Sequence, residues 1–206
     1  MVERSTSRRS LAKSTFTCSI QLLRGRITPA MRVLDAGCGS GRNLVYLMRA
    51  GHDVCATDVD PVAISTVAAG AFAGAAPATR RTFRGRTGGA DDVCRRMCRR
   101  RHFRYAVLHF AGDDAQFLAM VRDMWRVLHG EGLFFCRLAS TIGIGLDAAA
   151  GGRRFLLPDG SERYLADESL LVDLTWQLLG GRLIDRLNQW SRINDCMTTW
   201  VACKQG

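Results

Sequence analysis

Apolar positions along this chain recur at two spacings, and the spacings alternate. Val33 and Leu34 run into Asp35, which predicts a short buried strand over 31–36. Leu44, Val45, Leu47 and Met48 follow at helical spacing and predict a helix over 41–50, stopped by Gly51. A second apolar run from Val54 ends at Asp58 and predicts a strand over 53–58. Asp60 and Pro61 then supply an N-cap and a first-turn proline, and Ala63, Ile64, Val67 and Ala68 form the apolar face of a second helix. Further on, Phe117, Met120, Val121, Met124, Trp125 and Leu128 make one helical stripe, capped by Asp113 or Asp114 and stopped by Gly130. A buried strand is expected over 132–138. Residues 155–164 read as a β-hairpin around Pro158-Asp-Gly160. Asp167 caps a helix bearing Leu170, Leu171, Leu174 and Leu178, and Gly180-Gly181 ends it. The last two strands fall near 182–187 and 197–203, and a short helix ends around Ile20–Leu23, before the first strand. Strands alternating with helices predict an α/β sheet.

The pattern fails between 71 and 104, where the third and fourth strands of such a sheet belong. The chain of 206 residues carries a net charge of +10, and this segment explains most of it. It holds ten arginines, among them Arg95, Arg96, Arg99, Arg100 and Arg101, against two acids, Asp91 and Asp92. A run such as Cys94-Arg-Arg-Met-Cys-Arg-Arg-Arg-His102 does not suit a buried central strand. A shifted reading frame gives one account of it. One coding of Arg99-Arg-Arg-His-Phe103, read one base later, yields Asp-Val-Val-Ile, an acid and an apolar strand. A solvated basic loop is the other account.

Length and composition bound the rest. One domain with a sizeable core is expected, and no apolar run approaches the roughly 20 residues of a membrane span. Residues 1–10 are rich in Arg and Ser but lack an apolar core segment, so no secretory signal is read there and a cytoplasmic chain is expected. Of eight cysteines, Cys55, Cys136 and Cys203 lie in apolar runs and Cys38 in a glycine turn, which suits buried thiols in a reducing compartment. Cys94, Cys98 and His102 have metal-ligand spacing, but a structural zinc usually takes four ligands and no fourth is near. No metal is expected.

The chemistry concentrates in Met31-Arg-Val-Leu-Asp-Ala-Gly-Cys-Gly-Ser-Gly-Arg42. Gly37, Gly39 and Gly41 lie at alternate positions between a strand and a helix. Such a turn reaches backbone angles closed to other residues and lets a ligand approach the main chain, and a helix start offers free N–H groups. A nicotinamide fingerprint would need glycine where Arg42 stands. Asp58 ends the second strand, where an acid reaches a ribose hydroxyl pair.

This stretch resembles motif I of the class I S-adenosylmethionine (SAM) dependent methyltransferases: an acid, any residue, then Gly-x-Gly-x-Gly. The run from Gly41 to Val54 is most similar to the tellurite-resistance type, and Met124 to Phe135 resembles the helix-turn-strand after motif IV. The resemblance implies a Rossmann-like, doubly wound, mostly parallel seven-stranded sheet with helices on both faces, over 28–206, after an N-terminal extension of 1–27 and with an insertion at 139–165. It implies S-adenosyl-L-methionine as cofactor. Gly37, Gly39 and Gly41, with Cys38 between them, would line its methionine part, Asp35 would support the loop, and Asp58 would hold the ribose. The acid expected near the adenine falls on Asp91 or Asp92. His109, after the fourth strand, stands where such sheets form their ligand crevice; it is the candidate catalytic residue, as a base or a substrate contact, with a packing role as the alternative. Arg137, Ser140 and Tyr164 are candidate pocket residues, with an ordinary structural role open for each.

The function expected is methyl transfer from SAM to an unidentified small molecule. Two other readings compete. One is an inactive relic, a glycine loop on a sheet that lacks its fourth strand. The other is a basic nucleic-acid binder using the arginine segment, for which the few interleaved aromatics would give poor base stacking.

Overall fold

The computed structural model describes residues 16–72, 81–85, 103–105, 107–144, 152–189 and 197–206. Strand β1 (Arg32–Ala36) lies inside the sheet, with Val33, Leu34 and Asp35 buried. It pairs in parallel with β2 (Asp53–Asp58) on one side, from Arg32 against Asp53 to Ala36 against Thr57. On the other side it pairs in parallel with β4 (Phe103–Tyr105). Strand β3 (Arg81–Gly85) extends the sheet beyond β2, and β5 (Leu133–Ala139) beyond β4, both in parallel. From β1 the chain moves outward to β2 and β3, then returns to β4. That reversal opens a crevice at the carboxyl ends of β1 and β4.

The sheet differs from expectation at its far edge. Strand β10 (Met197–Lys204) is antiparallel to β5, and both β8 (Gly181–Leu183) and β9 (Asn188–Gln189) pair antiparallel with β10. The described sheet is therefore mixed, with eight strands where seven were expected, and among them β10 alone runs against the rest. The one strand expected near 182–187 is replaced by two short pieces, β8 at its start and β9 just beyond its end, which share β10. The fourth strand, which the relic reading removed, is present over three residues, paired on both sides.

Neighbouring strand residues point to opposite faces, so Val33 and Leu34 enter different cores. Leu34 joins Phe134, Leu138 and Trp200 against helix α4 (Asp114–Val127), through Phe117, Val121, Met124 and Trp125. Helix α5 (Glu168–Asp173) adds Leu171 to this core and runs on as a π-helical turn, Leu174–Leu178. The looser turn is stitched inward: the Thr175 hydroxyl donates to the Leu171 carbonyl and accepts the buried Trp200 indole N–H. Val33 instead joins Val54 and Ala56 against α2 (Leu44–Arg49) and α3 (Pro61–Phe72), through Leu44, Leu47, Met48 and Val67. Asp113 and Asp167 cap α4 and α5 as expected, accepting from the Gln116 and Leu170 amides at 2.7 Å. Helix α4 stops at Val127, before Gly130, because Leu128 is already extended.

Helix α1 (Phe16–Leu23) precedes β1 and is tied to the opposite end of the chain. Asp185 accepts from Gln21, from Arg24 at 2.8 Å and from Arg26 at 2.6 and 2.9 Å. Burial alone would raise the Asp185 pKa; the bonds from Arg26 and Gln21 reverse that and hold the carboxyl below its ordinary range.

Candidate functional site

The loop between β1 and α2 is built on three left-handed glycines: Gly37 at φ 69°, Gly39 at 51° and Gly41 at 70°. Their surroundings differ. A Cβ on Gly37 would stand 1.9 Å from Val107 Cγ1, and one on Gly41 would stand 2.6 Å from Val67 Cγ2. A Cβ on Gly39 would meet nothing within 4 Å. Two glycines therefore close the loop onto its neighbours, and the third faces open space. The Thr57 carbonyl, in β2, accepts from both the Gly37 and Cys38 amides, at 2.7 and 3.1 Å. Helix α2 begins at Leu44, later than the predicted 41, so the loop amides rather than a helix start form this end of the crevice.

Asp58 stands beside the loop. Its Oδ2 accepts from the Gly39 amide at 2.7 Å and its Oδ1 from the Asp60 amide at 3.0 Å. Each carboxylate oxygen has a second acceptor position, so a hydroxyl pair can still donate to it. Asp35 is buried in β1 at 2% exposure. Burial first, then the charges of Asp35 and Asp58, push the Cys38 thiol up to about 12. Cys38 is thus an uncharged, packed thiol at neutral pH.

His109 lies on a 3-10 turn, Leu108–Phe110, that follows β4. Val107 enters this turn with its side chain against Gly37, which joins the turn to the glycine loop. His109 is 8% exposed. Burial, followed by the charges of Arg163 and Arg137, lowers its pKa to about 4, so the ring is neutral at pH 7. Its Nδ1 is buried with no hydrogen-bond partner among the described residues.

The predicted hairpin, β6 (Arg154–Leu156) and β7 (Glu162–Tyr164), braces this turn. Arg154 pairs with Glu162 and donates to the Ala111 carbonyl at 3.0 Å. Arg153 bridges Asp114 and Asp167 at 3.1 and 2.6 Å. The Tyr164 hydroxyl donates to Asp114 at 3.0 Å, and its ring stacks on Phe117. The Arg163 guanidinium lies over the Phe110 ring, 4.7 Å from its centroid.

The crevice therefore brings together Gly37, Cys38, Gly39, Gly41, Asp58 and the His109 turn, with Asp35 beneath. Ser140 and Tyr164 take structural places: Ser140 is fully buried and bonded to Thr198, and Tyr164 belongs to the brace. Arg137 is half-buried on β5 and reaches His109 through its charge. Asp91 and Asp92, like Cys94, Cys98 and His102, lie outside the described residues. Sequence reasoning missed Val107, Phe110 and Arg163. The hairpin itself was legible, but nothing in the spacing of its arginines said which one meets the turn.

Comparison with known proteins agrees with this architecture. Residues 15–71 match the family model of the tellurite resistance protein TehB. No curated protein matches the chain. Among solved structures, a SAM-dependent methyltransferase from Methanosarcina mazei is similar at 16% identity and a TM-score of 0.68, over 89% of this chain and 97% of that one. Magnesium protoporphyrin IX methyltransferase from Synechocystis PCC 6803, solved with S-adenosylhomocysteine (SAH), is similar at 19% identity and 0.62, over 92% and 80%. A TehB-like SAM-dependent methyltransferase from Corynebacterium glutamicum is similar at 18% identity and 0.59, over 91% and 88%. Glycine loop, strand order and similar structures converge: the chain has the fold of the class I SAM-dependent methyltransferases, and the stretch that carries its glycine loop is the part that is similar to TehB.

Proposed function

We propose that the chain is a SAM-dependent methyltransferase acting on a small-molecule acceptor. One observation carries this reading most: the only crowding-free glycine of the motif, Gly39, opens into the crevice while its amide is held by Asp58. The loop is thus fixed from one side and left accessible on the other, as a cradle for an elongated ligand requires. Gly37, Gly39 and Gly41 line the methionine part, Cys38 packs beneath it, and Asp58 takes the ribose hydroxyls on its remaining acceptor positions. When bound, SAM supplies an electrophilic methyl on a sulfonium.

What the chain itself contributes is alignment and exclusion of water. The turn over 108–110, pressed against Gly37 through Val107, sets the acceptor end of the crevice. His109 is proposed as the residue that contacts the acceptor. Its neutral ring offers one nitrogen as a hydrogen-bond acceptor or donor, and with a pKa near 4 it orients more than it deprotonates. The small-molecule assignment draws on the hairpin that braces this end and on similar structures such as a glycopeptide N-methyltransferase.

A thermal-shift series tests the reading. SAH is expected to raise the unfolding temperature of the wild-type chain by several degrees at saturation. Asp58→Ala and Gly39→Val, both folded, are expected to lose most of that rise. An equal rise in all three chains would contradict the assignment.

A further inference from the structure

The hairpin carries three arginines whose employment differs. Arg153 is held by Asp114 and Asp167, and Arg154 by Glu162 and the Ala111 carbonyl. Arg163 forms no ion pair among the described residues. Its Nη1 donates to the carbonyl of its own neighbour Glu162, and its guanidinium lies on Phe110. Asp159, fully exposed at the hairpin tip, is the acid that senses its charge. The acids nearest in the brace, Asp114 and Glu162, are committed to other partners.

Phe110 is 55% exposed, an unusual place for a phenyl ring beside a crevice. Its ring centre is 4.3 Å from that of His109. Three features therefore meet at the turn that closes on Gly37: a cation on β7 with no ion pair among the described residues, an exposed aromatic ring, and a buried, neutral imidazole. A guanidinium matches a carboxylate in two parallel hydrogen bonds. An aromatic platform matches a flat apolar body. A neutral imidazole accepts or donates one further bond but does not repel either part.

We propose that Arg163, Phe110 and His109 form the acceptor subsite, and that it takes a small carboxylate with an apolar, planar body. The inference rests on the methyltransferase reading, because it assigns the methyl acceptor. It also fits the low basicity of His109. An acceptor that arrives already ionised asks for no proton to be removed. Arg163 is placed for this role by its contact with the Phe110 ring, 4.7 Å from the centroid.

Benzoate titrated by calorimetry into the wild-type chain, free and saturated with SAH, tests the subsite. Benzamide and inorganic sulfate serve as comparison ligands. Benzoate is expected to bind at least about tenfold more tightly than benzamide, its uncharged analogue, and than sulfate, which lacks the ring. Arg163→Gln is expected to remove that preference while SAH affinity stays within about twofold. The benzamide comparison needs no variant, so misfolding of Arg163→Gln leaves the test intact. Benzoate and benzamide binding alike, or sulfate matching benzoate, would overturn the proposal. SAH binding with no benzoate binding would overturn the subsite and leave the cofactor reading standing. Benzoate binding with no SAH binding would overturn its assignment to a methyl acceptor.

Discussion

Gly37 and Gly39 share a left-handed backbone and have opposite surroundings, so alanine separates their roles. At Gly37 the new Cβ would collide with Val107 Cγ1 at 1.9 Å and the φ of 69° adds strain. Gly37→Ala is expected to cost about 3 kcal/mol or more. At Gly39 only the backbone objects, so Gly39→Ala is expected to cost about 1–2 kcal/mol while weakening SAH binding severalfold. Urea unfolding midpoints check the order; equal losses at the two sites would contradict it. His109 makes a pH prediction. Its folded pKa, about 4, lies below its ordinary 6.5, so the unfolded chain binds the proton more readily. The stability it contributes is present above pH 6.5 and is lost as pH falls toward 4. Stability measured from pH 7 to 4.5 should therefore decline less in His109→Gln than in the wild type. Parallel declines would place His109 in a more solvated setting than its 8% exposure indicates.

At the scale of elements, α1 and the hairpin are both attached through side-chain charges. Asp185 collects Gln21, Arg24 and Arg26 and so anchors α1 to residues more than 150 positions away. Replacing a half-buried acceptor strands its donors and costs about 1–3 kcal/mol. Asp185→Asn is expected to speed hydrogen exchange in α1 while leaving α4 amides unchanged; unchanged exchange in α1 would show that apolar contacts of Leu22 hold it. Most elements were legible because their signals are local. Asp113 and Asp167 cap the helices they were expected to cap, and Asp159-Gly160 turns the hairpin. The ends of elements were less so. Helix α2 starts three residues late because Gly41 holds a left-handed φ of 70°, outside the helical range, and its carbonyl then accepts from the Leu44 amide. The two short strands β8 and β9, found where one strand over 182–187 was expected, depend on β10, a partner that follows them across the chain segment 190–196.

For the whole molecule, the sequence carried the cofactor end of the crevice better than the acceptor end. The glycine motif and Asp58 lie within 22 positions of one another and define a local unit. The acceptor end joins Val107, Phe110 and Arg163 from segments that only tertiary packing brings together. The arginine-rich stretch between β2 and β5 supplies a β3 of five residues and a β4 of three, which is little for the middle of a parallel sheet. The shifted-frame account predicts that the codons for Arg99–Phe103, read one base later, encode an acid followed by apolar residues; codons that give no such strand in either shifted frame would remove it.

The central claim is that Gly39 and Asp58 face a SAM-type ligand across the β1–β4 crevice, and calorimetric titration of the wild-type chain with SAH at neutral pH tests it most directly. The account predicts saturable binding of one SAH per chain, weakened by about tenfold or more in Asp58→Ala through the lost ribose and Gly39 bonds. A folded wild-type chain that binds no SAH, or an Asp58→Ala chain that binds it equally well, would contradict the account.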